Sequence, residues 1–159
     1  MLDEKPTLDW NLIRVSRDGR EFMLDGRPLW SGRFRRVLKF HAPGLAPVLD
    51  NDGWYHIDQN GTPLYSMRYE RAFGYYEGLA AVCDGNDWFH IDPNGHRVGS
   101  RAFVWCGNFQ EGRCTVRETD GLYHHLLADG ASAYSERFRY AGDFRDGIAC
   151  VKTSDGLFM

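Results

Sequence analysis

The chain has 159 residues, 43% apolar and 14% aromatic, with 18 glycines and a formal net charge of −3. That length supplies one domain with a buried core, and the composition excludes the disordered and low-complexity classes. The charge gives no electrostatic basis for nucleic acid or anionic membrane as a partner, although Arg33, Arg35 and Arg36 cluster locally.

The N-terminal Met1-Leu2-Asp3-Glu4-Lys5-Pro6 lacks the apolar core of a secretion signal. No apolar run reaches the ~18 residues of a membrane-spanning helix. The cysteines, Cys83, Cys106, Cys114 and Cys150, form no Cys-x-x-Cys pair. They read as buried free thiols, which favours a reducing compartment, and a cytoplasmic location is expected.

The first segment, residues 1–30, reads as a degenerate terminal copy of a repeat. Leu12-Ile13-Arg14-Val15 and Glu21-Phe22-Met23-Leu24 are expected strands, joined at Ser16-Arg17-Asp18-Gly19 and closed by Asp25-Gly26. Three fuller copies follow at 31–65, 66–99 and 100–134, and a truncated one at 135–159. The period is carried by unlike residues. Ser31, Ser66, Ser100 and Ser135 are spaced by 35, 34 and 35, and Gly44, Gly78, Gly112 and Gly147 by 34, 34 and 35.

Within a copy, an aromatic pair six residues apart comes first: Phe34/Phe40, Tyr69/Tyr75, Phe103/Phe109 and Phe138/Phe144. Gly74, Gly107 and Gly142 interrupt these segments, so an irregular strand or a single turn is expected. Gly78-Leu79-Ala80-Ala81-Val82 and Trp88-Phe89-His90-Ile91-Asp92 alternate as strands, joined as a hairpin by Asp84-Gly85-Asn86-Asp87. One face of the second strand carries Phe89 and Ile91, the other Trp88, His90 and Asp92. Asp92-Pro93-Asn94-Gly95 then forms a tight turn. Trp54 to Gly61 repeats this pattern, and Gly130 marks the corresponding turn of the next copy. The fifth copy ends at Leu157-Phe158-Met159, inside its second strand, which suggests a piece of a longer repeat protein.

Each copy is thus a hairpin of two or three strands that cannot bury its apolar face alone, so copies must stack. The expected fold is all-β, a tandem array of about 34–35-residue repeats. An open curved solenoid is the first expectation and a propeller-like sector the alternative.

Tyr75-x-x-Gly78-Leu79-Ala80-Ala81-Val82 and Trp88-Phe89-His90-Ile91-Asp92-x-x-Gly95 resemble the unit of the WG-repeat family (the WG containing repeat, or KWG, group of bacterial proteins). That unit runs Phe-x-x-Gly-x-Ala-x-Val, a turn, then Trp-Gly-aromatic-Ile-Asp-x-x-Gly. Phe144-x-x-Gly147-Ile148-Ala149-Cys150-Val151 resembles its first half. The chain departs from it at Tyr55 and Phe89, where the family has Gly, and at His56 and His90, where it has an aromatic. The resemblance spans residues 31 to 159. It implies a β-rich array, usually of unassigned activity and often beside other domains, with no catalytic residues.

His56, His90 and His125 share one repeat position, near Asp58 and Asp92. Stacked repeats would hold these histidines in a row rather than around one ion, so neither a metal nor another cofactor is expected. Asp58 and Asp92 could pair as acids for glycoside cleavage, but each opens an Asp-x-x-Gly turn, and turn-making is the expected role, with Gly61, Gly95 and Gly130. Trp54 and Trp88, with Trp105, could stack on a sugar or peptide, although packing between repeats is the stronger reading. No phosphate loop, nucleophile elbow or dinucleotide fingerprint is present. No catalytic residue is expected. The candidate binding face is Trp54, His56, Trp88, His90 and His125.

The expected function is non-catalytic recognition of a protein or peptide, with self-association through an open C-terminal edge as a further expectation. Two alternatives stand beside it. One is a substrate-binding or regulatory region of an enzyme whose catalytic domain lies beyond residue 159. The other is a metal- or carbohydrate-binding protein.

Overall fold

The computed structural model describes residues 8–156. The polar Met1 to Pro6 and the strand expected at Leu157 to Met159 lie outside the described residues. Among the described residues, fifteen short strands form five antiparallel sheets. No α-helix occurs among the described residues, none is long and apolar enough to cross a membrane, and no sheet closes into a barrel.

The first element of the described residues is a 3-10 turn, Trp10–Leu12, which takes in Leu12, where a strand was expected to begin. Asp9 explains it: its carboxylate caps the turn by accepting the Asn11 N–H. The first sheet is β1 (Arg14–Val15), β2 (Phe22–Leu24) and β3 (Arg27–Leu29). The second is β4 (Arg36–Val37), β5 (Leu45–Leu49) and β6 (Trp54–Asp58). The third has four strands, β7 (Arg71–Tyr76), β8 (Leu79–Asp84), β9 (Asp87–Ile91) and β10 (Arg97–Phe103). The fourth is β11 (Trp105–Gln110), β12 (Arg113–Arg117) and β13 (Tyr123–Leu127), and the fifth β14 (Tyr140–Ala141) and β15 (Val151–Lys152).

Single bridges add a fourth line to the second and fourth sheets. Ile57 pairs with Pro63 and Trp54 with Tyr69; Leu126 pairs with Ser132 and Tyr123 with Phe138. The middle three sheets are therefore four-line meanders, one line more than the hairpin reading gives. The sheets are also offset from the sequence period, since β10 runs straight through Ser100. The aromatic-pair segments are irregular strands. The register slips between Ala72 and Tyr75 in β7, and between Cys106 and Phe109 in β11, at Gly74 and Gly107.

The hairpin between β7 and β8 turns on Glu77-Gly78, both with positive φ (50° and 82°), and Glu111-Gly112 repeats this (52° and 75°). Such a turn matches the strand twist. It also points a carboxylate at the next sheet. Glu77 accepts the N–H of Gly112 at 2.9 Å, and Glu111 accepts those of Asp146 and Gly147 at 2.7 and 2.9 Å.

Alternation along β8 and β9 separates two cores rather than core from solvent. Ala80, Val82, Phe89 and Ile91 pack towards the second sheet with Leu45, Tyr69 and Tyr75. Ala81, Cys83 and Trp88 pack towards the fourth with Phe103, Cys106 and Cys114. A sheet held between two others has no wet face, and this decides the fate of the histidines.

Candidate functional site

His56 in β6, His90 in β9 and His125 in β13 are buried, at 0%, 3% and 1% exposure. They do not form a surface row. Trp88 is buried as well, packed on Phe73 with ring centroids 5.2 Å apart, and Trp54 is half-buried. The expected binding face of Trp54, His56, Trp88, His90 and His125 is thus corrected: stacking covers both faces of the strands that carry it.

Each histidine instead links one sheet to the next. Nε2 of His56 lies 2.7 Å from the Phe73 carbonyl, that of His90 3.0 Å from Gly107 and that of His125 2.8 Å from Gly142. The separation is 17 residues every time, from the third strand of a sheet to the first-strand segment of its successor. A carbonyl only accepts, so Nε2 carries the hydrogen and Nδ1 is left with a lone pair. The Tyr65 hydroxyl donates to Nδ1 of His56 at 2.5 Å, and the Tyr134 hydroxyl donates to Nδ1 of His125. Burial lowers the pKa of all three rings, that of His56 to about 4, with the bonded carbonyl opposing the shift.

The middle node differs. Nine residues after His90 stands Gly99, not tyrosine. Cys114 approaches Nε2 of His90 at 3.3 Å and donates its thiol hydrogen to the same Gly107 carbonyl at 3.1 Å. Burial raises the Cys114 thiol and lowers the His90 imidazole, so the pair is neutral and is not a thiolate nucleophile.

Trp30, Tyr65, Gly99 and Tyr134 are one repeat position. Trp30 lies against Gly61 and Tyr65 against Gly95, each so close that an added Cβ would sit at 2.7 or 2.9 Å from the ring. At Gly99 the ring is missing, and Gly130 packs backbone to backbone on it instead, with Cβ-to-Cα distances of 3.1–3.5 Å.

Asp58 and Asp92 lie in their turns. Each carboxylate accepts two backbone N–H groups at 2.9 Å, from Asn60 and Thr62 and from Asn94 and His96. Among the described residues no three His, Cys, Asp or Glu side chains converge as metal ligands would.

Two features escape sequence reading. The first is a buried His124, bonded at 2.8 Å to Glu118, which also pairs with Arg101. His124 stands where Tyr55 and Phe89 fill the core, and that replacement is the signal that could have found it. The second is a cleft of about 450 Å³ between the fourth and fifth sheets, lined by Val104, Trp105, Thr115, Arg117, Tyr123 and Tyr140 with Ala141, Gly142 and Asp143. Between the third and fourth sheets Phe73, Ala81 and Cys83 close the equivalent space; here Gly107, Thr115 and Arg117 stand in their places. Trp105 and Tyr140 share a repeat position held by Arg36 and Arg71 in earlier copies. They are 36% and 47% exposed, and each ring lies over the glycine two residues on, Gly107 or Gly142.

This succession of small meander sheets has the architecture of β-propeller-like proteins. Three solved structures share it, each at 12% identity. KlHsv2 with loop 6CD replaced by a Gly-Ser linker has a TM-score of 0.54, with 76% of this chain and 46% of that one covered. BamB from Moraxella catarrhalis has 0.54, covering 92% and 52%, and the computationally designed Ika8 protein 0.57, covering 92% and 53%. The chain spans about half the length of these structures. Of the two expected arrangements, the propeller-like sector is the one they share.

Residues 57–88, from β6 to the start of β9, match the model of the WG containing repeat, so the resemblance read from the sequence is shown over that unit. Residues 48–62 match the putative cell wall binding repeat. No curated protein matches the chain.

Proposed function

We propose that this chain is a non-catalytic module that recognises a protein or peptide, and that the cleft between the fourth and fifth sheets is its contact site. One observation carries this reading. His56, His90 and His125 are buried and bonded inside the fold, and Asp58 and Asp92 are half-buried with their carboxylates held by their own turns, whereas Trp105 and Tyr140 stay exposed around a cleft of ligand size. Aromatic anchors in a pocket are what dominate polypeptide recognition. The thiols favour a reducing, cytoplasmic setting.

Binding of the purified chain to an unbiased array of synthetic peptides tests the reading. Peptides are expected to bind, and Trp105→Ala to abolish most of the signal; an array with no binder would contradict it. The match to a cell wall binding repeat favours a second reading, recognition of a cell-surface saccharide. Retention on insoluble polysaccharide, with no peptide bound, would select it.

A further inference from the structure

We infer that the cleft between the fourth and fifth sheets takes a proline-rich segment in the polyproline II conformation. The inference rests on the peptide-recognition reading above and names the class of peptide.

The rings of Trp105, Tyr123 and Tyr140 line the cleft, with Tyr123 and Tyr140 centroids 5.9 Å apart. The Trp105 indole N–H and the hydroxyls of Tyr123 and Tyr140 have no hydrogen-bond partner among the described residues. Arg117 uses Nε on the Gly121 carbonyl at 3.3 Å, and its terminal nitrogens stay open. The carboxylate facing this set is Asp143, and one of its oxygens already holds the Thr115 hydroxyl at 3.0 Å. Trp105 and Arg117 can only donate, the two tyrosine hydroxyls can donate or accept, and Asp143 keeps one oxygen open, so donors outnumber free acceptors.

A proline-rich strand is the complement. It presents apolar ring faces to aromatics, its carbonyls point outward as acceptors, and its prolines have no N–H to satisfy. Its preset shape lowers the ordering cost of binding. A saccharide brings a hydroxyl donor with nearly every acceptor, whereas the Trp105 and Arg117 N–H groups call for acceptors alone. A cationic group would meet Arg117, whose guanidinium already lies 5.5 Å from the Tyr123 ring centroid.

Titration of the chain with decaproline, with a Gly-Ser peptide of equal length and with a cello-oligosaccharide tests this, read by tryptophan fluorescence and calorimetry beside the peptide array. Decaproline is expected to bind saturably and the other two not. Trp105→Ala and Tyr140→Ala, checked for folding by circular dichroism, should each weaken binding by about tenfold or more. Leu127→Ala, an exposed position outside the cleft, should change nothing. Array binders without proline that still lose affinity in Trp105→Ala would overturn the ligand class while leaving peptide recognition intact. No peptide binding, or saccharide binding alone, would overturn both. Decaproline binding that both variants retain would overturn the site.

Discussion

The node at His56 and the node at His90 occupy the same place in successive sheets, yet they are built differently. At His56 both ring nitrogens are engaged, Nε2 with the Phe73 carbonyl and Nδ1 with the Tyr65 hydroxyl, and the Tyr65 ring fills the space against Gly95. His125 and Tyr134 reproduce this arrangement. At His90 the tyrosine is replaced by Gly99, the next sheet closes directly on its backbone, and Cys114 shares the carbonyl. The repeat preserves the bond from Nε2 to the next sheet, while the tyrosine is a dispensable reinforcement. What holds the array is therefore the imidazole N–H crossing 17 residues, not the aromatic that braces it.

The largest expected effect comes from breaking a complete node. His56→Ala removes a fully buried ring and orphans both the Phe73 carbonyl and the Tyr65 hydroxyl, at a cost of about 3–5 kcal/mol in urea unfolding. An unchanged midpoint would contradict the staple.

Acid should weaken the same node. His56 binds a proton at about pH 6.5 when unfolded but only at about pH 4 when folded. The unfolded chain thus binds more protons between these values, so stability is full above pH 6.5 and falls as the pH drops towards 4. The loss is about 3 kcal/mol for this residue. His90 and His125 add losses of the same sign. Unfolding midpoints that stay flat from pH 7 to pH 4.5 would rule this out.

Gly95→Ala and Gly99→Ala sharpen the contrast. Both glycines have positive φ, but the new methyl would lie 2.9 Å from Tyr65 in the first case and 3.5 Å from the Gly130 Cα in the second. Gly95→Ala should cost about 2–3 kcal/mol, strain and overpacking together, and Gly99→Ala about 1 kcal/mol from strain alone. Equal costs would show that Tyr65 does not fill the gap. Tyr65→Phe keeps the ring and loses the hydroxyl, leaving Nδ1 of His56 unpaired, for about 1–2 kcal/mol by thermal or urea melts.

Much of this was legible in the sequence. The period, the Asp-x-x-Gly turns at Asp58 and Asp92, and the hairpin at Gly85-Asn86 follow from local chemistry, because a turn residue acts on its own neighbours. The burial of His56, His90 and His125 was not legible. Alternation in β9 told two faces apart but could not say that both were covered, since that depends on sheets packed from either side. The cleft was hidden for a related reason. Gly107 looks like an ordinary bulge, and Trp105 reads with Trp54 and Trp88 as a packing aromatic, until the fifth sheet is placed beside them.

The most direct test of the staple is the protonation and tautomer of His56, His90 and His125, followed by nitrogen-15 resonances of the imidazole rings through a pH titration. The account predicts neutral rings with hydrogen on Nε2, His56 remaining so to about pH 4. Rings that titrate near pH 6.5, carry hydrogen on Nδ1, or shift on addition of zinc would contradict it.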